Sequence, residues 1–231
     1  LYFSQFAVID SIPYFEENQI QAVFERIFLF CLVWSFGGIL TDQSRVTFDL
    51  FFKDKCEKNH SQCPFPNQGT VFDYFVNVSK LTWNSWCDNE TGMNFTDFKL
   101  IEEQMIPTNE SASALFLSRL LITNHKHILV QGPETSKTLI GKTLMSNVLD
   151  NKVFDCHVLP LSNCSQPSSI SQFFTSFLHK RHGEYIPLTD HHEVFLLDNL
   201  SSVKPEIFGA QPTLELLRQF NDYGGWFQTI P

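Results

Sequence analysis

Apolar residues recur at helical spacing through Glu16–Phe36, at Ile20, Val23, Phe24, Ile27, Phe28, Cys31, Leu32 and Phe36. The stripe widens to an all-round apolar stretch at its end, which predicts a core helix stopped by Gly37-Gly38. Ser44–Lys55, with Val46, Phe48, Leu50, Phe51 and Phe52, predicts a second helix. Pro64, Pro66 and Gly69 make Cys56–Gly69 a loop. Two short aromatic runs, Val71–Val76 and Leu81–Trp86, flank a turn at Asn77–Lys80 and predict a hairpin. Cys87–Phe98 reads as polar loop.

Leu100–Thr108 enters the second part of the chain, where strand and helix signals alternate from about residue 115 onward. Ser111–Leu121 is helical in spacing, and Ile128–Val130 is a short β-rich run. Leu139–Leu149 suits a helix, and Val153–Leu161 alternates as a strand. Ser168–Arg181 predicts a helix with Ile170, Phe173, Phe174, Phe177 and Leu178 on one face. His179-Lys180-Arg181 would then close it, as the helix dipole favours. Glu193–Leu200 reads as a strand buried on both faces. Pro212–Phe220 predicts a helix with proline in its first turn, and Gly224–Phe227 a further strand. Alternating strands and helices imply a parallel sheet whose ligands bind at the carboxyl ends of the strands. The expected fold is therefore α/β, a parallel sheet flanked by helices over residues 100–231. A mainly helical segment with a small hairpin, residues 1–99, precedes it.

The candidate chemistry sits at two such strand ends. In His127–Thr143, an apolar run meets Gly132-Pro133, then small polar residues, then a helix. That is the layout of a phosphate-binding loop, in which backbone N–H groups cradle phosphate and a lysine reaches the terminal phosphates. The candidate residues are Gly132, Pro133, Glu134, Thr135, Ser136, Lys137 and Thr138. The full pattern, G-x-x-x-x-G-K-[ST], is not met. Read without a gap, Thr138 replaces the lysine and Leu139 the Mg²⁺-binding hydroxyl. Read with one residue deleted, Lys137-Thr138 remain but the second glycine is lost. Gly141-Lys142-Thr143 offers a second lysine, with Ser136 where its first glycine should be. At the other strand end, Asp198 can hold Mg²⁺. Asn199 follows it, and an amide accepts no proton at neutral pH, so it cannot serve as a base.

Composition narrows the alternatives. The 231 residues suit one large domain or two small ones, and 24 phenylalanines predict a thick aromatic core. A net charge of −9 argues against a general nucleic-acid or anionic-membrane binder. The longest uncharged apolar run, Ile27–Thr41, is shorter than the ~18–20 residues that span a bilayer. Leu1–Gln5 has no basic start, so no signal peptide is expected. The six cysteines form no C-x-x-C pair, and reduced thiols in a cytosolic setting are expected. Cys56, His60 and Cys63 make a zinc site conceivable, but at no standard spacing. Sequons at Asn59, Asn77, Asn89, Asn94, Asn109, Asn163 and Asn199 suit a secreted glycoprotein. Richness in Asn, Ser and Thr is the simpler account, and a strand-end Asn199 would leave a glycan no room. Trp83 and Trp86 are expected to pack rather than bind. The eight histidines form no ligand set, and no nucleophile arrangement stands out.

Several segments resemble the motor domain of dynein heavy chains, in particular the third AAA+ module of the axonemal type. Phe28–Gly37, Gly69–Tyr74, the Trp83/Trp86 segment and Ile106-Pro107-Thr108 follow in the family's order. Gly209–Gln219, GAQPTLELLRQ, is the most specific match, and the resemblance runs from about residue 16 to the end. It implies a P-loop NTPase (AAA+) fold and ATP-driven movement on microtubules, with this module as a regulatory nucleotide site using ATP and Mg²⁺. It also implies partners: other AAA+ modules of the same heavy chain, dynein intermediate and light chains, and microtubules through regions outside this chain. Nucleic acid and membrane are not expected partners, and the expected location is cytoplasm, cytoskeleton and cilium axoneme. Three departures stand out: the altered loop, Asn199 in the strand-end acidic pair, and Ser111–Ala114 where an arginine is usual. The expected consequence is a structural or regulatory ring element with nucleotide binding weak or absent, hydrolysis lost and no catalytic base. The alternative is an active ATPase using Lys137 or Lys142. The chain is expected to stop before the sensor residues and helical lid of its module, and the resulting open sheet edge to make it poorly soluble.

Overall fold

A computed structural model describes residues 17–59, 61, 63–77, 80–86, 105, 108–132, 136–182 and 184–227. Two compact units divide between Lys126 and His127.

The first unit is built on α1 (Glu17–Gly37) and α2 (Asp42–Lys58). Val23, Ile27, Phe30 and Val33 of α1 point inward and are buried. Ile20–Gly37 also has the length and hydropathy of a membrane span. Here its inner face meets Phe75, Val76, Trp86 and Ala112, so it serves as a core helix. α1 ends at Gly37, where Phe72 packs. A Cβ on Gly37 would lie 2.6 Å from the Phe72 ring. A single 3-10 turn (Val71–Asp73) leads into the hairpin β1 (Tyr74–Asn77) and β2 (Thr82–Ser85), paired antiparallel as expected. Buried Asp49 anchors this turn by accepting from the Val71 amide at 2.7 Å. Both tryptophans pack: Trp83 stacks on Phe65 at 4.1 Å, and Trp86 Nε1 donates to the Phe72 carbonyl at 2.8 Å. Helix α3 (Asn109–Thr123) is capped by Thr108, whose Oγ1 accepts from the Ser111 amide at 3.1 Å. The described cysteines Cys31, Cys56, Cys63, Cys156 and Cys164 are free thiols. His60 lies outside the described residues, and among those described no cluster of three or more His, Cys, Asp or Glu residues could hold a metal.

The second unit holds α4 (Lys137–Thr143), running on as a π-helical turn (Leu144–Val148), then β3 (Phe154–Pro160) and α5 (Pro167–Ser176). The hairpin β4 (Leu178–Arg181) and β5 (Glu184–Pro187) follows, then β6 (His192–Asp198) and α6 (Pro212–Tyr223). β3 and β6 pair in parallel from Phe154↔His192 to Pro160↔Asp198, with helices packed on them. This is the expected flanked parallel sheet. Its core is Leu161, Ile170, Phe174, Val203 and Leu216.

Four local expectations are corrected. Ile128–Val130 has no ladder partner among the described residues, and Leu129 is 66% exposed. Strand propensity alone supplied no edge to pair with. The helix expected to reach Arg181 stops at Ser176. The Phe177 carbonyl accepts from the Leu188 amide at 3.2 Å, and Leu178–Arg181 pairs with Glu184–Pro187 instead. The reversal runs through His182 at φ 52°, and the adjacent Gly183 was the sequence signal for it. β6 is half-buried rather than fully buried, since among the described residues only β3 flanks it. Gly224–Phe227 forms no strand. Gly224 closes α6 at φ 70°, and Trp226 folds back onto Phe174 and Phe220.

Candidate functional site

The site is assembled where α4 begins and β6 ends. Leu196 of β6 lies against Gly141 of α4, and a Cβ at Gly141 would sit 2.9 Å from both Leu196 methyl groups. Gly141 therefore sets how closely helix and strand approach. It lies inside α4, with Thr143 buried and Lys142 turned to solvent. Gly141 of the Gly141-Lys142-Thr143 triplet thus has a packing role.

That close approach brings two candidate residues together across 60 positions of sequence. Thr138 Oγ1 donates to Asp198 Oδ1 at 2.8 Å. The Leu161 amide donates to the Asp198 carbonyl at 2.9 Å, which fixes the strand end against β3. Lys137 Nζ donates to the Gly132 carbonyl at 2.9 Å. Of the two loop alignments, the one with a deletion puts Lys137 and Thr138 at the lysine and hydroxyl positions. The side chain that meets Asp198 is the Thr138 hydroxyl. The gap-free alignment would put Leu139 there.

The deleted register gives Ser136 the place of the lost glycine, and the backbone carries the consequence. Ser136 has φ 73° and ψ −15°, the left-handed conformation that glycine adopts freely. An L-residue there costs about 1–2 kcal/mol. Periodicity and motif matching gave no hint of this strain; the missing glycine itself was the only signal. Pro133, Glu134 and Thr135 lie outside the described residues.

Asn199 follows Asp198 at φ 59° and ψ 42°, also left-handed, a conformation that asparagine tolerates better than most residues. Its amide N–H donates to Asp198 Oδ1 at 3.0 Å. Asp198 Oδ1 thus accepts from both Thr138 and Asn199. Asn199 is exposed in a turn, so the expectation that a glycan would not fit there is not met. Ser111, Ala112 and Ser113, at the position where an arginine was expected, are buried in the first unit.

A threonine hydroxyl touching a strand-end carboxylate offers hard oxygen donors of the kind Mg²⁺ takes. In P-loop NTPases such a pair holds the Mg²⁺ of a bound nucleotide. The residues present fit that group: Lys137 for phosphate charge, Thr138 and Asp198 for the metal. The side chain next to the pair, that of Asn199, is an amide, which accepts no proton at neutral pH.

The fold and this pair define a P-loop α/β module. Comparison with known proteins agrees. A family profile described as "P-loop containing dynein motor region" matches residues 93–230. A second, "Dynein heavy chain AAA lid domain", matches residues 2–88. The chain belongs to the dynein heavy chain family. It is 29% identical over 239 residues to dynein axonemal heavy chain 1 of Homo sapiens, covering 95% of this chain and 6% of that protein. It is 30% identical over 218 residues to dynein axonemal heavy chain 12 of Homo sapiens, covering 88% and 7%. Against dynein axonemal heavy chain 2 of Mus musculus it is 26% identical over 209 residues, covering 89% and 4%. The chain thus spans a small fraction of the relatives it matches.

Proposed function

We propose that this chain is part of an axonemal-type dynein heavy chain, in which it forms a structural or regulatory element of the AAA+ ring. In this reading residues 100–231 belong to the large subdomain of the third module. Residues 1–99 are its entry region, and the lid-type match over residues 2–88 supports assigning them to helical lid structure ahead of the P-loop part. The work served is ATP-driven movement on microtubules in the cilium axoneme. Ring partners are the other AAA+ modules of the same heavy chain; intermediate and light chains and microtubules engage regions outside these residues. The names of the axonemal relatives support this setting.

The nucleotide site binds weakly and does not hydrolyse. One observation carries this: Thr138 meets Asp198 as a Mg²⁺-nucleotide site requires, while the next residue is Asn199, which takes no proton. Lys137 and Thr138 hold phosphate and metal; Ser136 strains the loop that presents them.

A second reading, an active ATPase with Lys137 on the phosphates, draws on the Lys137–Gly132 bond. Calorimetry with Mg-ATP and Mg-ADP, paired with a phosphate-release assay, separates the two. The expected result is binding near or weaker than about 100 μM, roughly −5.5 kcal/mol, without turnover. Asn199→Glu is expected to introduce slow release. Robust turnover by the unaltered chain that Lys137→Ala abolishes would establish the second reading instead.

A further inference from the structure

The hairpin β4–β5 carries the chain's one pair of adjacent cationic residues, Lys180-Arg181, between His179 and His182. In a helix these charges would have had a local role at its C-terminus. The fold removes that role: α5 ends at Ser176 with no basic residue in its last turn, and His179, Lys180 and Arg181 are exposed on β4. Neither cation finds an ion pair among the described residues. Arg181 sits opposite Glu184 in the register without pairing to it, and Lys180 lies over the Tyr185 ring at 5.7 Å. The two strands pair only with each other among the described residues. A two-stranded hairpin is marginal by itself.

We propose that this hairpin is a docking element for an acidic protein segment, whose carboxylates pair with Lys180 and Arg181. Charge complementarity carries the assignment. The chain as a whole is at −9, so these exposed cations stand against its prevailing sign. Arginine favours a carboxylate partner through its planar fork, and the four-residue strand spans about 13 Å, room for a few successive acidic side chains. Nucleic acid fits less well. The net negative charge of the chain opposes a long phosphate backbone.

The test uses the whole 231-residue chain and a fluorescein-labelled oligoglutamate peptide, followed by anisotropy at low salt. The expected result is saturable binding that Lys180→Glu/Arg181→Glu weakens at least about tenfold, as does raising salt from about 20 to about 200 mM. Lys180→Gln/Arg181→Gln should give an intermediate loss, with far-UV circular dichroism confirming that each variant is folded. Absence of binding by the folded chain would overturn the proposal. So would equal binding by the double-reversal variant, or tighter binding of a single-stranded RNA through the same two residues.

Discussion

Ser136→Gly is the substitution that tests the loop geometry most directly. Ser136 holds φ 73° at the head of α4, and its side chain makes no capping bond there. Relief of left-handed strain is worth about 1–2 kcal/mol, and glycine returns about 0.5–1 kcal/mol through its freer unfolded state. The net gain is therefore about 0.5–1 kcal/mol, which for a domain of this size raises Tm by roughly 1–4 °C. Urea unfolding and a thermal melt, each without nucleotide, read this gain. Ser136→Val should move the other way, because a β-branched residue resists positive φ. If the nucleotide site is as proposed, the glycine variant also binds Mg-ADP more tightly than the parent. Lower or unchanged stability for Ser136→Gly, with Ser136→Val harmless, would refute the claim that this residue is strained.

Other outcomes follow from the same structure. Thr138→Val removes the hydroxyl that donates to Asp198, a hydrogen bond to a carboxylate worth about 1.5–3 kcal/mol, and should lower the urea midpoint and weaken Mg-nucleotide binding together. Trp86→Phe keeps the ring packing but leaves the buried Phe72 carbonyl without its donor, costing about 1–3 kcal/mol in a denaturant melt. Hydrogen bonds from Arg218 and Gln219 hold the Glu215 carboxyl down at about 2. A depressed carboxylate stabilises the fold above its unfolded value, and that contribution is lost as pH falls from about 4.5 through about 2. Arg218→Gln should flatten that acid limb in a series of melts against pH; an unchanged limb would remove Glu215 as its source.

Much of the fold was legible because periodicity reports which face of an element is buried. The stripe on α1, the aromatic runs of β1 and β2, and the proline-led α6 each carried their element in local pattern. Ends and partners were harder to read. Ser168–Arg181 kept helical spacing through Leu178, yet its last residues gained more from pairing with Glu184–Pro187 than from another helical turn. Ile128–Val130 had strand composition but no neighbouring ladder among the described residues.

The candidate site divides the same way. By itself the sequence determined the chemical inventory: a glycine loop with lysine and threonine, a strand-end aspartate, and an amide where a base would be needed. It left two alignments of the loop open, because a motif counts residues and does not know which side chain faces which. Only the tertiary structure decided among the contacts. Gly141 lets α4 approach β6 closely, and that approach sets Thr138 rather than Leu139 on Asp198. Ser136, at the head of α4, likewise takes a left-handed conformation that a serine does not choose for itself. A contact spanning 60 residues depends on helix–strand separation, a property no local stretch of sequence encodes.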